Sequence, residues 1–148
     1  MSRFWRSALV VLGVSILVAA CSNAEQTPPS AGAPQAAQLQ QTQALPLEVS
    51  VQEARALQEA GAFVLDVREP FEWEAVRIPG ATLIPLGQLA QRVNEVPRDR
   101  PVVVICRSGN RSQEGRDILR RAGFTQVTSM RGGLRQWAAA GFPVVSGP

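Results

Sequence analysis

Three short runs of almost continuous apolar residues stand out along the chain: Ala62-Phe63-Val64-Leu65-Asp66-Val67, Ala81-Thr82-Leu83-Ile84 and Val102-Val103-Val104-Ile105. Runs of this length, with no polar residue at alternate positions, predict strands buried on both faces. Gln126-Val127-Thr128-Ser129-Met130 is a weaker candidate of the same kind. Helical patterns lie around and between these runs. Ser50 stands three residues before Glu53, a capping-box start, and Ala54 and Leu57 follow on one face. Leu86, Leu89 and Val93 share a helical face, as do Ile118, Leu119 and Ala122, and later Leu134 and Trp137. Gly61, Gly123 and Gly141 stand where three of these patterns stop. Strands alternating with helices predict an α/β domain whose parallel sheet is covered on both sides. Ligands of such sheets gather outside the carboxyl ends of the strands.

The first 46 residues follow other rules. Arg3 and Arg6 precede Ala8–Ala20, 13 residues of nearly unbroken apolar character. That length suits the core of an export signal and is short for a bilayer span. It runs into Leu17-Val18-Ala19-Ala20-Cys21, small residues before a cysteine, which resembles a bacterial lipobox with Val18 at the place where leucine is usual. Residues 1–20 are therefore expected to be a lipoprotein signal, with Cys21 as the lipidated residue. An ordinary cleaved signal and a retained anchor are the competing readings. Residues 21–46, rich in Ala, Gln, Pro and Ser, then form a tether of about 25–30 Å mean span. Residues 47–148 are left as one folded domain. Ser22 after the cysteine favours the outer membrane, so the domain would face the periplasm.

Charge and composition narrow the chemistry. The formal net charge of +3 includes Arg3 and Arg6, and falls to +1 without residues 1–20. A near-neutral chain lacks the clustered basic face of a nucleic-acid binder. There is no histidine, which excludes Ser-His and Cys-His pairs and every histidine-dependent zinc site, and two cysteines cannot build a metal cluster. No metal or cofactor is expected. If lipid occupies Cys21, Cys106 is the one thiol left. A buried, inert cysteine would satisfy that count equally well, so the surroundings of Cys106 decide.

Those surroundings are Cys106-Arg107-Ser108-Gly109-Asn110-Arg111-Ser112, between the most hydrophobic strand candidate and a helix. The N–H groups of a tight loop entering a helix lack partners and point at whatever sits in its bowl. A sulfur there meets hydrogen-bond donors and the positive helix end, which favours a reactive thiolate. Arg107 and Arg111 add positive charge, and Gly109 lets the backbone turn without filling the bowl.

The same segment resembles the active-site loop of the single-domain rhodaneses, and four other stretches agree in order. These are Asp66-Val67-Arg68-Glu69-Pro70-Phe71-Glu72-Trp73, then Ile78-Pro79-Gly80-Ala81 with Ile84-Pro85-Leu86, then Arg131-Gly132-Gly133 with Trp137, and Gly141-Phe142-Pro143-Val144. Val76-Arg77 departs from the glycine and histidine common in that family and reads as a surface or structural change. The resemblance implies a three-layer α/β/α fold around a parallel sheet of about five strands. It further implies a sulfurtransferase in which Cys106 takes sulfane sulfur from a donor such as thiosulfate and passes it to a thiophilic acceptor, a thiol, cyanide or a protein cysteine. Residues Arg107 to Ser112 would bind the substrate. Arg111 could instead pair with an acidic side chain and brace the loop, and Asp66 and Arg68 are expected as a supporting ion pair. Trp73 and Trp137 are expected to pack, and Glu72 and Glu74 to lie on a solvated face.

Two other readings compete. A phosphatase of this fold places five residues between its cysteine and arginine, whereas Cys106 and Arg111 enclose four. A persulfide carrier or sensing module for a partner protein would keep the loop without turnover.

Overall fold

The computed structural model describes residues 44–147. The expected export signal, Cys21 and most of the expected tether lie outside the described residues. Five strands form one sheet: β1 (Glu48–Val49), β2 (Phe63–Asp66), β3 (Thr82–Leu83), β4 (Val102–Ile105) and β5 (Val127–Met130). Their order is β1-β5-β4-β2-β3, and every pairing is parallel. Among the described residues, α1 (Val51–Glu59), α2 (Pro70–Ala75), α3 (Leu86–Leu89) and α4 (Asn110–Arg121) lie between successive strands, and α5 (Gly133–Ala139) follows β5.

The sheet divides the core in two. Leu65, Val67, Val102, Val104 and Val127 face α3 and α4, where Leu89, Leu119 and Phe124 meet them. Val64, Val103, Ile105 and Met130 face α1 and α5, against Val51, Ala54, Leu134 and Trp137. β4 is central and buried on both sides, which is why Val102–Ile105 carries no polar residue. Each fully buried aliphatic side chain here contributes about 1.5–3 kcal/mol. Trp137 turns its indole N–H to the Pro143 carbonyl at 2.9 Å and meets the Phe142 ring edge-on at 5.0 Å.

α1 begins as its sequence directs. The Glu53 N–H donates to Ser50 Oγ, and the Ser50 N–H donates to the Glu53 carboxylate at 2.7 Å. Leu86, Leu89 and Val93 do share a face against the sheet, but not one helix. α3 stops at Leu89, and Val93 belongs to a separate 3₁₀ turn, Val93–Glu95. β1 and α2 were not anticipated. β1 is two residues long and is held from the side by Arg116, whose guanidinium donates to the Leu47 carbonyl and to Ser129 Oγ. α2 starts with Pro70 in its first turn and has no buried residue, so no apolar stripe announces it.

Arg77, the family departure, has a structural place. Its backbone forms an antiparallel bridge with Val145, its guanidinium stacks over Trp73 at 5.2 Å, and it also bonds the Gly147 carbonyl. The carboxy-terminal segment is thereby laced to the residues that follow α2.

α4 packs tightly against the core at Gly115. A Cβ there would lie 3.0 Å from Val104 Cγ1 and 3.2 Å from Val67 Cγ1. Gly115→Val is expected to destabilise the domain by about 1–3 kcal/mol through overpacking. A lowered urea midpoint at unchanged slope would show it; an unmoved midpoint would mean that α4 is free to shift.

Candidate active site

The carboxyl ends of β2 and β4 lie side by side, with Asp66 registered opposite Ile105. Three loops meet there: Val67–Glu69 after β2, Cys106–Gly109 after β4, and Arg131–Gly132 after β5. The convergence follows from parallel pairing, which sends every strand's exit to the same edge.

Cys106 follows β4 and is 1% exposed. Its sulfur lies within a turn of its own chain rather than among aliphatic neighbours alone. The Gly109 N–H donates to Sγ at 3.1 Å, and Sγ stands 3.8 Å from Ser112 Oγ, which itself donates to the Gly109 carbonyl at 2.7 Å. Gly109 adopts φ +106° as the residue preceding α4, and it caps the helix without a side-chain oxygen. The first-turn amides of α4, those of Asn110, Arg111 and Ser112, are therefore left for a ligand. An L side chain at Gly109 would be strained, and its Cβ would stand 3.1 Å from the Gly132 nitrogen.

The loop is gripped from behind by α5. Leu134 N–H donates to the Cys106 carbonyl at 2.8 Å, and Arg135 N–H donates to that of Arg107 at 3.1 Å. Helix and loop approach so closely because Gly133 has no side chain. A Cβ there would stand 2.5 Å from the Cys106 carbonyl oxygen.

On the other flank, Asp66 and Arg68 form a buried ion pair with closest approach 2.6 Å, and Arg68 N–H also donates to Asp66. The remaining guanidinium donors reach the carbonyls of Glu72 at 3.1 Å and Val76 at 2.7 Å. Arg68 thus ties α2 to the sheet edge. α2 then presents Glu72 to Arg111, which it meets in a bidentate pair at 2.7 and 2.8 Å. One expectation is corrected here, and one of two open readings is met. Glu72 does not lie on a solvated face, since its side chain is 14% exposed. Arg111 spends its guanidinium on that carboxylate, so it braces the loop and its charge at the sulfur is offset. Glu74 is exposed, as expected of it.

Arg107 and Ser108 are exposed, and Arg107 has no carboxylate within ion-pair distance among the described residues. Asn110 is also exposed, at the helix start, while Ser112 is buried beneath the sulfur. The structure therefore brings Cys106, Gly109 and Ser112 together, sets Arg107 at the rim, and puts Asp66, Arg68 and Arg111 into the scaffold. Sequence reasoning missed the part played by Glu72 and by the α5 amides. The Glu69-Pro70 pair was the one local signal that Glu72 sits in a helical first turn.

A rhodanese-like domain description matches residues 50–140. The chain is 39% identical over 83 residues to a sulfurtransferase of Allochromatium vinosum, a match spanning 56% of this chain and 78% of the relative. It is 37% identical over 86 residues to a thiosulfate sulfurtransferase of Pseudomonas syringae, spanning 58% of this chain and 81% of the relative. Other relatives extend well beyond the shared segment, the chain spanning 60% of one and 40% of another. Among solved structures, a rhodanese-related protein of Thermoplasma volcanium superposes with TM-score 0.63 at 32% identity, covering 68% of this chain and 98% of that one.

The Glu72 carboxyl is held at about 2, against an ordinary 4.5, chiefly by hydrogen bonding from Arg111. A depressed carboxylate stabilises the fold above its unfolded-state value, and the contribution disappears as pH falls from about 4.5 towards about 2. Arg111 is 35% exposed, so solvent screening reduces what the pair contributes. Glu72→Gln is expected to cost about 1–2 kcal/mol at neutral pH. The gap from wild type, followed by urea titration, should close through that acid window. A gap independent of pH would mean that the ion pair does not stabilise the loop.

Proposed function

The chain belongs to the rhodanese-like domain family, and from that premise we propose that it is a sulfurtransferase working through a persulfide on Cys106. The observation that carries the reading is the Gly109 N–H directed at Cys106 Sγ at 3.1 Å, in a loop entering the uncapped start of α4. The names of the two sulfurtransferase relatives point the same way.

The proposed first half-reaction uses the Cys106 thiolate as nucleophile on the sulfane sulfur of thiosulfate. A new S–S bond forms to Sγ as the donor's S–S bond breaks, and sulfite departs with the electron pair. The outer sulfur of the persulfide carries the negative charge, which the first-turn amides of α4 accept as an oxyanion hole would. In the second half-reaction a thiophilic acceptor attacks the outer sulfur, and the pair returns to Sγ as thiolate. Covalent catalysis of this kind gives ping-pong kinetics. Ser112 supports the switch between thiol and thiolate, since its hydroxyl can accept from an S–H or turn to donate to S⁻. Arg107, exposed on the residue that follows Cys106, orients the anionic donor. Arg111, engaged by Glu72, holds the helix start in place.

The proposal extends to location. The basic, apolar and small-residue succession ending at Cys21 supports a lipid-anchored domain facing the periplasm.

After incubation with thiosulfate, intact-mass spectrometry of residues 44–148 is expected to show one added sulfur atom that cyanide removes, and Cys106→Ser to show none. An unmodified wild-type protein would refute the mechanism, and loading without steady-state turnover would indicate a carrier instead. In a bacterial host, labelled palmitate is expected in the full chain and not in Cys21→Ser. Label in both would displace the anchor from Cys21.

A further inference from the structure

The edge of the sheet opposite Cys106 carries a concentration of arginine that sulfur transfer does not use. Arg98 and Arg100 stand just before β4, and Arg120 and Arg121 end α4. Parallel pairing brings the two segments together, since α4 leaves the carboxyl edge and returns to the amino edge, where β5 starts. Arg98 joins them directly. Its guanidinium lies over the Phe124 ring at 4.1 Å and donates to the Ala122 carbonyl at 3.1 Å. All four arginines are exposed. The twelve residues of α4 set this pole about 18 Å from the catalytic loop. That is about two Debye lengths at physiological salt, so these charges do not act on the sulfur.

Local structure accounts for only part of this charge. The last turn of a helix favours basic side chains, and Arg98 answers a terminal carbonyl of α4. That need does not extend to a cluster of four. The acids of this pole are few and engaged. Asp99 pairs with Arg100 at 3.1 Å, Asp117 with Arg116 at 2.8 Å, and Glu59 with Arg55 and Glu95 with Arg92 at 2.7 Å. Arg98, Arg120 and Arg121 have no carboxylate within ion-pair distance among the described residues. Arg98 and Arg100 also line a polar hollow of about 50 Å³ with Phe124 and Thr125. A water needs about 10–15 Å³ on this measure, so the hollow has room for a group the size of a phosphate.

The chain enters the domain from the same side. α1 also runs back from the carboxyl edge to the amino edge, and Leu45 and Pro46 share a cleft with Leu57 near its end. We propose that this arginine pole rests on an anionic phospholipid surface, with a lipid phosphate in the hollow beside Arg98 and Arg100 and others against Arg120 and Arg121. The orientation rests on the proposed anchor at Cys21; the charge does not, and neither depends on sulfur transfer. A tether alone would leave the domain free to turn. With the pole on the leaflet, Cys106 faces away from the membrane, toward soluble donors and acceptors. A nucleic acid finds little to follow beyond the pole, because the net charge without residues 1–20 is only +1.

Residues 22–148 keep every described strand and helix and lack Cys21, so their binding to vesicles reads the surface without the anchor. Each arginine beside an anionic leaflet is worth about fivefold in partitioning. In sedimentation at low salt, vesicles containing phosphatidylglycerol are expected to bind about tenfold or more tightly than phosphatidylcholine alone. Salt near about 1 M should erase the difference. Arg120→Gln with Arg121→Gln is expected to lose about tenfold or more in binding. Arg107→Gln with Arg135→Gln removes the same charge at the Cys106 pole, and should cost less than about twofold. Equal binding to both vesicles, equal losses from the two pairs, or tighter binding to single-stranded DNA than to phosphatidylglycerol at the same salt would each overturn the assignment. None of these outcomes bears on the persulfide, which sulfur loading of Cys106 reports, or on the anchor, which palmitate labelling reports.

Discussion

The site depends on a guanidinium that never touches it. Arg68, 2% exposed, is pinned to Asp66 at the last residue of β2, and it spends its remaining donors on two carbonyls, that of Glu72 within α2 and that of Val76 just after it. Removing one member of such a pair strands a buried charge and typically costs about 3–5 kcal/mol. The geometry gives that cost a purpose. α2 has no fully buried residue, and Arg68 ties it to the sheet edge. Once positioned, α2 delivers Glu72 to Arg111 and so fixes the start of α4. A line of charge therefore runs from the strand register to the helix whose amides serve the sulfur.

The opposite flank reaches the same end without charge. Gly133 admits α5 to the loop backbone, and two amides of the α5 first turn close on the carbonyls of Cys106 and Arg107. Those bonds draw the loop's carbonyl oxygens outward, toward α5, while the Gly109 N–H points inward to Sγ. Orientation of peptide dipoles, more than any nearby side chain, separates this cysteine from the aliphatic core that surrounds its strand. With Arg111 paired to Glu72, Arg107 is an exposed cation of the β4–α4 loop that has no carboxylate within ion-pair distance among the described residues.

Much of this was legible in the residues, for identifiable reasons. Strands buried on both faces leave unbroken apolar runs, and β2 and β4 were plain; Ser50 and Glu53 marked the start of α1. Elements held by something other than an apolar stripe were invisible. β1 relies on Arg116, and α2 relies on Arg68. Periodicity placed Leu86, Leu89 and Val93 correctly on one surface, but it tests which way side chains face and not whether the helix between them is continuous. The loop around Cys106 was readable because its chemistry is local. The Glu72–Arg111 pair spans 39 positions, and no local pattern could say which acid would meet that arginine. Glu72 looked like a surface residue because its own helix is a surface helix.

The close fit at Gly133 has a dynamic corollary. With no clearance between α5 and the loop backbone, the two cannot slide past each other, and any widening of the loop must break the hydrogen bonds donated by the Leu134 and Arg135 amides. Those two amides are thus built-in reporters. Their rate of hydrogen exchange with solvent sets an upper bound on how often the loop around Cys106 opens.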